Sequence, residues 1–201
     1  ITAPVLILGY TPPSGIPMLV EQHLTPTVID WEIAESLAAQ ANGPFPIHVK
    51  VDSGMGRYGL MPEDTVDFVR KLHTLPNLII EGIFSHFATA DETDKGPMLS
   101  QWVTFQRVLA DLETAGFRIP LRHICNSGGL ISLPEAHMEA VRPGILLYGQ
   151  HPSPECRAPF PLKAAMTLKS LVVRVQRFPA DSAFGYGLTY TTPSPMVAAL
   201  V

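Results

Sequence analysis

The sequence predicts an α/β fold of parallel β/α units, followed by the start of a separate β domain. Three observations carry this. Short apolar, β-branched runs alternate with stretches of helical period, and six such runs can be counted. The runs are apolar on both faces of the pleat, as strands covered by helices must be. The alternation stops near residue 150, where proline and glycine take over.

In chain order, VLILGY (5–10) reads as a strand before a short helix near IPMLVEQ, and PTVID (26–30) as a strand before WEIAESLAAQ. IHVKVD (47–52) precedes PEDTVDFVRKL, in which Pro62, Glu63 and Asp64 favour a helix start. LIIEGIFSHF (78–87) precedes LSQWVTFQRVLADLETAG. There Trp102, Phe105, Leu109 and Leu112 share one helical face, and Gly116 suits a C-terminal cap. LRHICN (121–126) precedes GGLISLPEA, and AVRPGILLYG (140–149) reads as the sixth strand. HPSPECRAPFPLKA cannot continue the pattern, and MTLKSLVVRVQRF (166–178) alternates apolar and polar residues with no helix after it. The organisation expected is therefore a β/α domain over 1–150, a proline-rich connection over 151–165 and a β domain beginning at 166.

With 201 residues, 46% hydrophobic and 16% charged, the chain holds enough apolar material for a packed core. A net charge of −4 with 14 Lys+Arg provides no basic field for nucleic acid, and no apolar run reaches the length of a membrane span. Cys125 and Cys156 form no metal-ligand spacing and no disulfide framework. The chain opens on ITAPVLILGY without an initiator methionine and closes on PMVAALV, so we expect an internal piece of a longer protein.

In parallel β/α architectures the functional site lies at the carboxyl ends of the strands. Here those ends carry Lys50, Asp52 and Arg57, then His86, then His123, Asn126 and Ser127, then Arg142, and one shared pocket is expected. Each residue also has a plainer reading. His86 alone suits a rim histidine, Lys50 and Asp52 a structural ion pair, Tyr58 packing, and Asn126–Ser127 a helix N-cap. Asn-Ser-Gly-Gly opening a helix equally suits an anion cradle, and Gly144 permits close approach of backbone amides to a phosphate. Arg142 poses the sharpest question, because a guanidinium at the mouth of a buried strand needs a partner.

VDSGMGRYG (51–59), SHFATAD (85–91), HICNSGG (123–129) and VRPGILLYG (141–149) together resemble the alanine racemase family, in that family's order and spacing. FGYGLTY (184–190) is similar to the opening of its carboxyl-terminal β domain. The resemblance implies a (β/α)8 TIM-type barrel, of which about six units are present, and a homodimer using pyridoxal 5'-phosphate. It implies interconversion of L- and D-alanine in the cytoplasm, supplying cell-wall (peptidoglycan) precursor, with no nucleic-acid or membrane partner.

By resemblance, Arg142 pairs with the cofactor's pyridine nitrogen, and Ser127 with the backbone at Gly144 and Ile145 holds its phosphate, Asn126 lying beside them. Arg57 reaches the substrate carboxylate, His86 and His123 support the network, and Lys50 matches a lysine that some members carbamylate. The lysine that carries the cofactor and the catalytic tyrosine are expected outside this chain, so residues 1–201 alone are expected to be inactive and unstable. The rival readings are a non-catalytic cofactor-binding barrel, a racemase of another amino acid such as serine, and a decarboxylase of related fold. Those decarboxylases place a carboxylate where Arg142 stands.

Overall fold

Five strands, each followed by a helix, lie side by side in the order in which the chain makes them. The computed structural model describes residues 2–201. The strands are β1 (Leu6–Ile7), β2 (Thr25–Val28), β3 (Phe45–Lys50), β4 (Leu78–Phe84) and β5 (Leu121–His123), all parallel, in the spatial order β1-β2-β3-β4-β5. A strictly sequential order is what a sector of a β/α barrel requires, whereas a doubly wound sheet reverses direction partway.

The helices are α1 (Ile16–Glu21), α2 (Trp31–Gln40), α3 (Thr65–Leu72), α4 (Gly96–Thr114) and α5 (Ser127–Ser132). Asp30 starts α2 by accepting the Glu32 and Ile33 N–H groups on Oδ1. Pro62–Asp64 forms a 3-10 turn leading into α3. Trp102, Phe105, Leu109 and Leu112 are all buried in the core with Ile33 and Leu37 of α2 and Val69 and Leu72 of α3. α4 ends in a Schellman motif. Gly116, at φ +87°, donates its N–H to Glu113 O at 3.0 Å, and Phe117 N–H reaches Leu112 O at 2.9 Å.

The β3–β4 ladder slips once. Ile47 pairs with Ile80, but the next residue, His48, pairs with Gly82, so Glu81 is an extra residue on β4. Such slips are uncommon between parallel strands and re-aim the side chains around them.

The expected sixth strand is not one. Residues 139–142 lie along the outer edge of β5, where Glu139 N–H donates to Arg122 O at 3.3 Å and Arg142 N–H to Cys125 O at 2.9 Å. The aliphatic run then coils into the single turn α6 (Gly144–Leu147). Pro143 explains the interruption: it has no N–H to extend the ladder.

The chain divides into two compact units, Ile1–Ala164 and Ala165–Val201. In the second, β6 (Arg174–Phe178) pairs antiparallel with β9 (Met196–Leu200), and β7 (Ala183–Phe184) with β8 (Tyr190–Thr191). Phe178 and Phe184 meet edge-on at 4.6 Å. Of the alternating segment 166–178, only 174–178 is strand, because residues 166–172 have no facing strand among the described residues.

Candidate functional site

At the tip of β3 the chain turns sharply, and the Asp52 carboxylate holds the turn. Its Oδ1 accepts the N–H groups of Gly54, Met55 and Gly56 at 3.0, 2.8 and 3.0 Å, and its Oδ2 that of Arg57 at 2.9 Å. Burial pushes the carboxyl upward, but these four donors prevail and hold it below the ordinary carboxylate range. Gly54 and Gly56 supply the positive φ the turn needs, +135° and +66°. Asp52 is thus occupied with backbone and forms no salt bridge with Lys50, although its charge partly offsets the lowering of the Lys50 pKa. Lys50, 5% exposed, points its ammonium at the rings of Tyr58 and Phe84, 5.3 and 5.5 Å from their centroids. Burial lowers its pKa, and the Arg57 and Arg142 cations lower it further.

Beyond β4, Gln101 of α4 fixes the chain from both sides: its Oε1 accepts Ala88 N–H at 2.8 Å and its Nε2 donates to His86 O at 3.0 Å. In the sequence this position is one polar residue of a helix. Ser85 Oγ lies 2.7 Å from Ser53 Oγ and joins the β3 and β4 tips. Beyond β5, Asn126 caps α5 by accepting Gly129 N–H at 2.9 Å and also donates to Phe87 O at 3.1 Å. The Ser127 hydroxyl accepts Leu146 N–H at 3.3 Å, which ties the start of α5 to α6.

Arg142 finds its partners inside the protein. NH1 donates to Nδ1 of His123, and NH2 donates to Ser85 O at 2.7 Å and contacts His86 Nδ1 and Ile124 O, each at 3.3 Å. Its Nε–H has no acceptor among the described residues. The guanidinium also lies over Phe84, 5.1 Å from the ring centroid, while the His123 ring stacks on the same phenyl at 4.8 Å. Burial and the Arg142 charge lower both histidines, His86 to about 4 and His123 to about 3, so both are neutral acceptors at pH 7. Burial also lowers Arg142, to about 10, which leaves it cationic.

A cavity of about 590 Å³ opens beside this arginine. His86, Asn126, Ser127, Arg142, Gly144 and Ile145 all line it, together with Leu8 and Asp91. The tips of β4 and β5 and the 142–145 segment therefore converge on one cavity. Lys50 and Arg57 are not in the cavity wall, and His123 stands behind Arg142. Arg57, on the exposed Asp52 loop, acts on the site through charge, contributing to the lowering of His86.

The wall suits an anionic, planar ligand. A Cβ at Gly144 would meet nothing within 4 Å, so the backbone there opens directly onto the cavity. The Ser127 hydroxyl hydrogen remains available to a ligand oxygen, and the unpaired Arg142 Nε–H to a ring nitrogen. These donors fit a phosphorylated pyridine.

Comparison with known proteins gives a consistent result. A family model described as "Alanine racemase, N-terminal domain" matches residues 1–152. Alanine racemase from Desulfovibrio desulfuricans is 41% identical over 195 residues, 96% of this chain and 53% of that protein. Alanine racemase from Clostridium tetani is 40% identical over 204 residues, 99% of this chain and 53% of that protein. Among solved structures, alanine racemase from Clostridium difficile superposes with a TM-score of 0.86 at 34% identity, covering 99% of this chain and 53% of that one. Histidine racemase from Leuconostoc mesenteroides gives 0.78 at 29%, covering 98% and 54%. The chain spans about half the length of the curated relatives it matches. By the family match and these relatives, the chain belongs to the alanine racemase family, whose cofactor is pyridoxal 5'-phosphate.

Proposed function

We propose that these residues form the cofactor-binding wall of an enzyme that interconverts L- and D-alanine. The observation that carries the reading is the placement of Arg142, which lines the cavity while the two ends of its fork are spent on His123, Ser85 O and His86. When bound, pyridoxal phosphate supplies an electron-withdrawing ring that acidifies the substrate's α-carbon.

The roles of the chain's own residues follow from their chemistry. An arginine only donates, so Arg142 leaves the ring nitrogen without a proton and makes the ring a weaker electron sink than a carboxylate partner would. That restraint favours return of the proton over side reactions. Ser127 and the backbone at Gly144 and Ile145 hold the phosphate, with Asn126 fixing the helix start behind them. Arg57 takes the substrate carboxylate, a task suited to a planar fork. The buried Lys50, with no carboxylate salt bridge among the described residues and a pKa lowered by burial, suits carbamylation, which would give an anion to orient Arg57. Proton removal and return on opposite faces need two acid/base groups, a lysine and a tyrosine in this proposal, both contributed by parts of the protein outside these 201 residues. Homodimer formation, a cytoplasmic setting and supply of cell-wall precursor belong to the same proposal and rest on the family.

The test uses the whole protein that contains this segment, purified and loaded with pyridoxal phosphate. D-alanine should form from L-alanine, and L from D, faster than histidine or serine is racemised. Cofactor binding without turnover would leave the non-catalytic barrel. Absence of cofactor binding would remove the proposal altogether.

A further inference from the structure

A second cavity of about 370 Å³, which shares Leu8 and Arg142 with the first, is lined by His48, Glu81 and His123 among others. We infer that Glu81 and His48 are positioning residues, fixing the tautomer of His123 and, through it, the guanidinium fork of Arg142. The consequence for the cofactor rests on the proposed function, whereas the relay itself does not.

The direction of the relay follows from which groups can donate. Arg142 has no acceptor atom, so His123 Nδ1, which faces NH1, must be bare. The single hydrogen of neutral His123 is then on Nε2. That atom lies 3.1 Å from His48 Nδ1, which must accept, so His48 carries its hydrogen on Nε2. His48 Nε2 stands 3.4 Å from Glu81 Oε2. Every donor thus points the same way, from Arg142 through two imidazoles to a carboxylate. A doubly protonated histidine at either place would oppose two hydrogens across one contact.

Local structure supports the alignment. His48 and His123 are each 2% exposed, and a hydrogen bond between buried rings is stronger than one in water. The extra residue in the β4 ladder is Glu81 itself, and the residue paired with His48 is Gly82. Phe84 holds both rings, edge-on to His48 at 6.3 Å and stacked on His123 at 4.8 Å. The Glu81 side chain is 46% exposed, and it does not belong to the buried core of these residues.

Without an acceptor beyond it, His48 is free to move its hydrogen to Nδ1. His123 then loses its acceptor at Nε2, and the tautomer that serves Arg142 is no longer favoured. The test is made on the whole protein labelled with nitrogen-15 at histidine, first without cofactor. Nitrogen shifts should place the hydrogen of both His48 and His123 on Nε2; a hydrogen on Nδ1 of either one overturns the inference. Glu81→Gln retains an oxygen acceptor and should keep the pattern, while Glu81→Leu should give mixed tautomers at His48. Pyridoxal phosphate affinity should fall about tenfold in Glu81→Leu and stay within about threefold in Glu81→Gln. Equal affinity in all three proteins, or equal loss in both variants, overturns the positioning role. If the unmutated protein fails to bind the cofactor, the proposed function falls while the nitrogen shifts still decide the relay.

Discussion

Gly82 lies so close to His48 that a Cβ on it would stand 2.2 Å from Cε1 and 2.4 Å from Nδ1 of the ring. The side chain missing from β4 is therefore the seat of the imidazole on β3. Gly82→Ala should destabilise the protein by about 1–3 kcal/mol, the range of an overpacked core. Denaturant unfolding of the whole protein measures this. Adding His48→Ala should recover part of the loss, since the two changes share one contact.

The Asp52 carboxylate carries four backbone donors of one loop. Asp52→Ala should cost about 1.5–3 kcal/mol, the scale for hydrogen bonds to a charged group, and should release the loop that carries Arg57. Faster amide exchange confined to residues 53–57 would register the release. Asp52→Asn, which keeps one acceptor oxygen, should lose less.

Arg142 serves His123, His86 and the Ser85 carbonyl with one planar group. Lysine presents a single point of charge and cannot span them. On the proposed function, Arg142→Lys should lower racemisation by the whole protein about 100-fold, the scale of losing one preorganised donor, while cofactor remains bound. Rates of D-alanine formation beside cofactor absorbance separate the two effects.

Two glycines of the cavity wall should respond in opposite ways. A Cβ on Gly128 would lie 2.9 Å from the backbone of Ala90 and of Asp91, so Gly128→Ala should destabilise the fold itself. A Cβ on Gly144 meets open space. Gly144→Ala should leave the melting temperature within about 2 °C and weaken phosphate-bearing ligands selectively, as a comparison of pyridoxal with pyridoxal phosphate would reveal.

His86 and His123 titrate at about 4 and about 3 in the folded chain, below the ordinary 6.5. Between these values the unfolded chain binds protons that the folded one refuses. The stability that these two histidines contribute is therefore complete above about pH 6.5 and declines as pH falls toward the folded values, by up to about 1.4 kcal/mol per unit for the more buried His123 and by less for His86, which solvent screens in part. Urea midpoints taken from about pH 8 to about pH 4.5 should decline accordingly, and His123→Asn should flatten the decline.

Period and punctuation made the elements legible. The face of α4 and its glycine stop, the proline start of α3 and the alternation of strands with helices all follow from local spacing. The misreading at 140–149 has a local cause as well: apolar composition says that Ile145, Leu146 and Leu147 pack, not whether they extend or coil, and Pro143 decides it. At the site, residue types at strand tips pointed to His86, Asn126, Ser127 and Arg142. Gln101, Glu81 and the partners of Asp52 escaped notice because their roles depend on contacts across elements. Gln101 is simply a polar position on an amphipathic helix until the chain beyond β4 comes to rest on it.

The segment that lines β5 has one more consequence. Glu139 not only donates to Arg122 O but returns its carboxylate to the Arg122 N–H and guanidinium, at 3.0, 3.0 and 2.6 Å. Hydrogen-bonding groups along this flank are thus occupied by the chain's own next few residues, with a charged clasp at the margin. A foreign strand seeking a template there must first evict a covalently tethered occupant, so self-association through this flank is disfavoured from the moment the Arg122–Glu139 clasp closes.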